Sequence, residues 1–369
     1  MRDLKTWVIS LFIIVSIILT SLAIMASAEE RTKNSARAAT LYSSDIGEFL
    51  YEKNADTRLP MASTTKIMTA LIVLENCDLD KTVNVHPDAV GIEGSSIYLK
   101  AGDALTVRDL LYSLLLRSAN DAAAALAYAT SGSIDGFCAL MNERAQSMGL
   151  KDTKFENPHG LDSENHYTTA RELALITAEA LKNEEFRKIA STYKYSFTIG
   201  DSERLVVNHN KLLKSYEGAI GVKTGFTKKC GRCLVGAAER DGITLITVTL
   251  DAPDDWRDHK ALFDYGFDSL NSTRVEDLCK TEFKIPISCG KLDYITASVK
   301  DTAPLISYKK DVFTAEIDSV HFLVAPISVG DVVGKINIYK NGEYYTSFNI
   351  VSNQSTERIK EKRLFGLIK

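Results

Sequence analysis

Three short strings stand in one order along this chain: Ser63-Thr64-Thr65-Lys66, Ser118-Ala119-Asn120 and Lys223-Thr224-Gly225. They supply a hydroxyl nucleophile, a nearby amine that can take its proton, a second hydroxyl and an amide, and a cation beside an extended backbone. That is the inventory of serine acyl transfer. Singly the strings say little, because S-x-x-K and S-x-N each occur four times here, whereas Lys-Thr-Gly occurs once. Order, the spacings of 55 and 105 residues, and local setting carry the signal.

Ser63 follows Leu59-Pro60-Met61-Ala62 and precedes an apolar run from Thr64 to Glu75 that predicts one helix. Ser63 is then expected at an N-cap or in the first turn, in the positive field of a helix end. Lys66, three residues on, shares its face. Serine needs an adjacent base, and a lysine desolvated near another cation, such as Lys223, is lowered toward that role. Taken alone, an S-x-x-K is a capped core helix with a snorkelling lysine; its two partners in order shift the reading to catalysis.

Ser118-Ala119-Asn120 interrupts two apolar segments, Leu110–Leu116 and Ala122–Ala129. A polar break between buried segments projects side chains into a cleft. There Ser118 can relay a proton and Asn120 can hold a substrate amide. The competing reading is a plain helix–helix turn capped by Asp121. The third string predicts a strand over Ala219–Thr227, followed by β-rich runs Cys233–Ala238 and Ile243–Leu250 joined by the hairpin signal Asp241-Gly242. Lys223 and Gly225 share one face and Thr224 takes the other. Gly225 would let a substrate backbone approach the strand edge, and Lys223 offers charge to a terminal carboxylate. A lone K-T-G is equally well an ordinary edge-strand lysine.

The six histidines have no zinc-binding spacing, and the chain has no G-x-S-x-G elbow, phosphate loop or dinucleotide fingerprint. No metal or cofactor is called for. His159 reads as a structural loop residue.

Residues 1–28 have a charged start, an apolar run from Trp7 to Met25, and Ala26-Ser27-Ala28, which predicts a secretory signal; an uncleaved span is the alternative. Either places the body outside the cytoplasm. A net charge of −4 gives no reason to expect nucleic-acid binding. The 369 residues exceed one typical domain. Helix-type periodicity gives way near residue 275 to β-branched residues and turn signals such as Asn341-Gly342, predicting a small all-β domain over 275–355. The basic, apolar tail from 356 to 369 either rests on an anionic membrane surface or frays. Cys279 and Cys289 flank a strand-like stretch that a disulfide would staple; Cys230 and Cys233, a C-x-x-C without a βαβ setting, read as buried free thiols.

With these residues in place, the chain resembles the serine-type D-Ala-D-Ala carboxypeptidases, the low-molecular-mass penicillin-binding proteins. The three motifs carry the resemblance, together with Leu50–Asp56, Thr65–Ala70, His159-Gly160-Leu161-Asp162, Gly231–Val235 and Tyr265-Gly266-Phe267. It spans roughly Ser35 to Leu270 and, more loosely, the β domain. It implies an α+β fold: a transpeptidase/β-lactamase-like domain over 33–274, with an antiparallel sheet between helices, and then the all-β domain. It implies Ser63 as nucleophile, Lys66 as base, Ser118 and Asn120 on the facing wall, and Lys223, Thr224 and Gly225 as the strand edge. The oxyanion hole would be the backbone N–H groups of Ser63 and Phe226. Arg257 is the candidate for a carboxylate-binding arginine. The implied partners are peptidoglycan stem peptides ending in D-Ala-D-Ala and β-lactam antibiotics, with the membrane surface as a further partner for the tail. Class A β-lactamases add an E-x-x-L-N loop between the second and third motifs. This chain lacks it, and Glu172 in Thr169-Ala170-Arg171-Glu172 reads instead as a helix start.

Overall fold

The computed structural model describes residues 32–300, 302–319 and 321–359. The expected signal over 1–28 and the tail beyond residue 359 lie outside the described residues. The chain divides into two compact units, one ending at Asp268 and the other beginning at Ser269.

The first unit is built on five antiparallel strands: β1 (Ala38–Ser43), β2 (Glu48–Lys53), β3 (Ala219–Thr227), β4 (Gly231–Arg240) and β5 (Ile243–Leu250). Their order is β2-β1-β5-β4-β3, so the first strand closes on the last and β3 is an edge. The β4–β5 turn is a two-residue hairpin with Asp241 and Gly242 both at positive φ, as the Asp-Gly pair requires. Every residue of β5 is buried. Its alternate side chains serve two layers: Ile246, Val248 and Leu250 join the main core, whereas Thr249 meets His259 of helix α4 (Asp255–Ser269) on the opposite face. Gly236 and Gly266 keep that second interface thin, since a Cβ on either would collide with side chains across it. Helix α3 (Ala170–Leu181) covers the core face of β1 and β5.

Between β2 and β3 the chain makes the helical lobe. Helix α1 (Lys66–Asn76) has every side chain from Lys66 to Val73 buried, and α2 (Asn120–Ser131) is buried along its alanine-rich first two turns. The expected single helix from Thr64 begins differently: Ala62–Thr65 form a 3-10 turn and the α-helix starts at Lys66. The sheet lies between helices, the α+β arrangement that the sequence predicts.

The second unit is almost all β among its described residues. A six-stranded sheet is built around Ile285, Ile295, Ile336, Ile338 and Ile350, and a two-stranded ribbon pairs Leu270–Thr273 with Leu305–Tyr308. The Asn341-Gly342 hairpin again has both residues at positive φ. The six cysteines are free. The staple that the pattern permits between Cys279 and Cys289 is not formed: Cys279 turns back to the Val275 carbonyl at 3.9 Å, while Cys289 is exposed. No described helix is long and apolar enough to cross a membrane.

Candidate active site

The 3-10 turn presents Ser63 and hides its neighbours. Ala62, at positive φ, Thr64 and Thr65 are buried. The hydroxyls of Thr64 and Thr65 donate to the Met61 and Ala62 carbonyls at 2.6 and 2.8 Å. His166 fixes the turn from behind. Its Nδ1 accepts from the Glu156 amide at 3.0 Å, so Nε2 carries the proton and donates to the Thr65 hydroxyl at 2.7 Å. Burial holds the imidazole down at about 4, so it stays neutral in this role.

Lys66 is completely buried, and its ammonium donates to Ser63 Oγ at 3.0 Å, to Asn120 Oδ1 at 2.7 Å and to the His159 carbonyl. Desolvation, and then the charge of Lys223, hold its amine well below the ordinary lysine value, with Asp121 opposing. Lys223 is equally buried; desolvation brings it down to about 7, and its Nζ donates to the Thr224 carbonyl at 3.0 Å. Two lysines stripped of water in one site make the neutral amine that a general base requires.

The SAN break is a sharp one. A π-helical turn over Ser113–Arg117 ends at Ser118, which takes the left-handed conformation (φ 64°, ψ 31°) before α2 resumes at Asn120. Asp121 is more than a cap. Its buried carboxylate accepts from the Ser96 hydroxyl at 2.5 Å and the Leu99 amide at 3.0 Å, tying the 96–99 loop to this wall. Asn120 uses both ends of its amide, accepting from Lys66 and donating to the Glu93 carbonyl.

These elements enclose a cleft of about 340 Å³ lined by Ser63, Ser118, Thr224, Gly225, Phe226 and Arg232, among others. Phe226, on that wall, is 65% exposed. Gly225 has a different neighbour from the one its sequence suggests. A Cβ there would press on the Met61 carbonyl at 3.1 Å and the Ser63 amide at 3.2 Å, so the glycine admits the nucleophile's own turn. Gly160 (φ +88°) performs the same service from the other side.

Arg257 is the predicted residue that stays away. It is turned to solvent, paired with Asp254 at 2.7 Å, because its position on α4 points away from the sheet. Arg232 faces the cleft instead. Its Nη2 spans both oxygens of buried Asp255 at 2.7 and 2.9 Å, it lies near the Trp256 ring, and its buried Nε has no partner. Strand register could have found it, since Arg232 pairs with Phe226 and so shares a face with Thr224. Glu172 is bound up elsewhere: Thr169 caps α3 over its amide, and its carboxylate accepts from the Lys151 and Asp152 amides and the Thr153 hydroxyl.

Comparisons with known proteins give the family. Residues 25–254 match the family model for D-alanyl-D-alanine carboxypeptidase, and residues 271–358 match that for the C-terminal domain of penicillin-binding protein 5. The chain is 32% identical over 336 residues to D-alanyl-D-alanine carboxypeptidase DacF of Bacillus subtilis, covering 88% of this chain and 86% of that one. It is 40% identical over 242 residues to the D-alanyl-D-alanine carboxypeptidase of Streptomyces sp. strain K15, covering 60% of this chain and 83% of the other. Crystal structures of penicillin-binding protein 5 from Haemophilus influenzae align with a TM-score of 0.64 at 27% identity, over 88% of this chain and 98% of that one. The Streptomyces K15 DD-transpeptidase structure aligns at 0.61 and 36% identity, over 64% and 98%. This chain belongs to the D-alanyl-D-alanine carboxypeptidase family.

Proposed function

We propose that this chain is a serine D-alanyl-D-alanine carboxypeptidase in which Ser63 attacks the carbonyl of the penultimate D-Ala of a peptidoglycan stem peptide. The observation that carries the reading is the 3.0 Å contact from the buried Lys66 amine to Ser63 Oγ, made inside a cleft bordered by an edge strand. Lys66 takes the hydroxyl proton, and Ser118 passes a proton to the departing amine. The backbone N–H groups of Ser63 and Phe226 receive the oxyanion. Lys223, Thr224 and Arg232 receive the free carboxylate, the part first assigned to Arg257. D-Ala leaves, water releases the acyl group, and a β-lactam acylates the same serine. Glu172, held by three hydrogen-bond donors, is not placed to drive fast β-lactam hydrolysis.

The reading extends to location. A cleaved signal would deliver the unit that ends at Asp268 as the catalytic domain, and the unit that begins at Ser269, six residues before the expected boundary at 275, as the β domain, to the outer face of the cytoplasmic membrane. Residues 356–358 pair with the β unit, so the part of the expected 356–369 tail beyond residue 359 would hold them there. Sedimentation of the cleaved protein with anionic liposomes, with and without the tail, tests that part.

Fluorescent-penicillin labelling of wild type and Ser63→Ala, with mass mapping of the adduct, tests the site. Labelling confined to the wild type and mapped to Ser63 is expected; an adduct elsewhere overturns the assignment. A second reading, transfer of the acyl group to an amine instead of water, is favoured by the DD-transpeptidase name of the K15 structure. An added amine acceptor separates the two by product.

A further inference from the structure

Cys230-Gly231-Arg232-Cys233 has no part in the acyl-transfer scheme beyond Arg232, yet it lies against that site. Cys230 ends the β3–β4 turn and Cys233 lies just inside β4: β3 ends at Thr227 and β4 starts at Gly231. Gly231 (φ +67°) folds the chain so that the flanking side chains meet, and a Cβ there would strike the Asp251 carboxylate at 2.3 Å. Across that turn the Cys233 sulfur faces the Cys230 carbonyl at 3.9 Å. Cys230 Sγ accepts from the Thr227 hydroxyl at 3.0 Å, and the Cys230 amide donates back to that oxygen at 3.1 Å. Cys233 is the register partner of Gly225 and lines the cleft beside Ser63, with its sulfur 3.9 Å from the Pro60 carbonyl. Both cysteines are buried, and no cluster of three metal-binding side chains exists among the described residues.

We propose that Cys230 and Cys233 are a thiol–disulfide exchange pair, a modification site in the wall of the acyl-transfer cleft whose co-reactant is a small disulfide. The cleft gives such a molecule a path to Cys233. Hydrogen bonding, from the neighbouring thiol and then from Thr227, holds the Cys230 thiol below its ordinary value, while the same pairing and burial push Cys233 up. Cys230 is therefore the more acidic thiol of the pair, and Cys233 the one on the cleft wall.

The step balances. A protein thiolate attacks one sulfur of the small disulfide, forms a mixed disulfide and expels a small thiolate. The second cysteine loses its proton and attacks the protein-side sulfur, expelling the other small thiolate. The two protein thiols give up two electrons and two protons, and the small disulfide becomes two thiols. Ring closure takes the Cys233 S–H from the Pro60 carbonyl, three residues before Ser63. Acylation of Ser63 therefore slows. This last consequence rests on the reading of Ser63 as nucleophile; the exchange chemistry does not.

The full chain is incubated with oxidised glutathione, quenched with iodoacetamide and mapped by peptide mass, with penicillin labelling rates measured in parallel. The 230–233 peptide is expected to lose two hydrogens and both alkylation sites, reversibly with dithiothreitol, and labelling to slow several-fold. Cys230→Ser is expected to label at the wild-type rate whether or not the disulfide is added. Alkylation of both cysteines after exposed Cys289 has reacted overturns the proposal. So does a glutathione adduct that never closes, or closure without a change in labelling. Absent labelling of the reduced wild type would sink the Ser63 reading and leave the mass result standing.

Discussion

Gly160 lies on the backbone of Ala62: a Cβ at residue 160 would stand 1.9 Å from the Ala62 carbonyl oxygen and 2.9 Å from the Ser63 amide. The His159–Gly160 loop is thus the floor on which the nucleophile's turn rests, and its other carbonyl, that of His159, receives Lys66.

Gly160→Ala should accordingly damage acylation through position alone. The positive φ by itself costs about 1–3 kcal/mol in a residue with a side chain, and the collision with backbone cannot be relieved by a rotamer change. A lower melting temperature together with penicillin acylation slowed by more than about tenfold is the expected result. Wild-type rates would show that the turn does not need this contact.

Lys66→Ala should slow acylation by about 10²–10⁴ or more while leaving a folded protein. The pH profile carries the sign. Lys66 works as the neutral base, so kcat/KM on a carboxylate-bearing peptide rises as pH increases and Lys66 loses its proton. Lys223 works as the cation, and with its free-enzyme value at about 7 the rate falls as pH passes upward through that region. Lys223→Arg, whose charge persists, should carry the falling limb to higher pH. An unchanged limb would assign it to another group.

Removing one partner from a charged hydrogen bond costs about 1.5–3 kcal/mol, roughly tenfold or more in affinity. Arg232→Gln should raise KM by about that factor for a peptide with a free C-terminal carboxylate and change little for its amide. Arg257→Gln, out in solvent against Asp254, should stay within about twofold on both. Measuring the acid-to-amide ratio for each variant decides between them.

Glu172→Ala should leave the Lys151 and Asp152 amides without their acceptor. Hydrogen bonds to a charged acceptor contribute about 1.5–3 kcal/mol each, so denaturant stability should fall. The lifetime of the penicilloyl-enzyme should not. A longer-lived adduct in this variant would give Glu172 a role in deacylation after all.

Sequence alone determined whatever depends on short range. The three motifs announced the chemistry because nucleophile and base sit three residues apart, within one turn. The strand Ala219–Thr227 was legible to the residue. So were the Asp241-Gly242 and Asn341-Gly342 hairpins, because positive φ at both turn positions is a local demand that few residues meet. Tertiary structure decided the rest. Whether Arg232 or Arg257 faces the cleft depends on the register of β4 against β3 and on which way α4 turns its side chains, neither of which is written in the local string. The depressed basicity of Lys66 and Lys223 comes from burial by segments distant along the chain. Gly225 and Gly160 are glycines because two remote backbones close on the Ser63 turn, and only the packed fold brings them there.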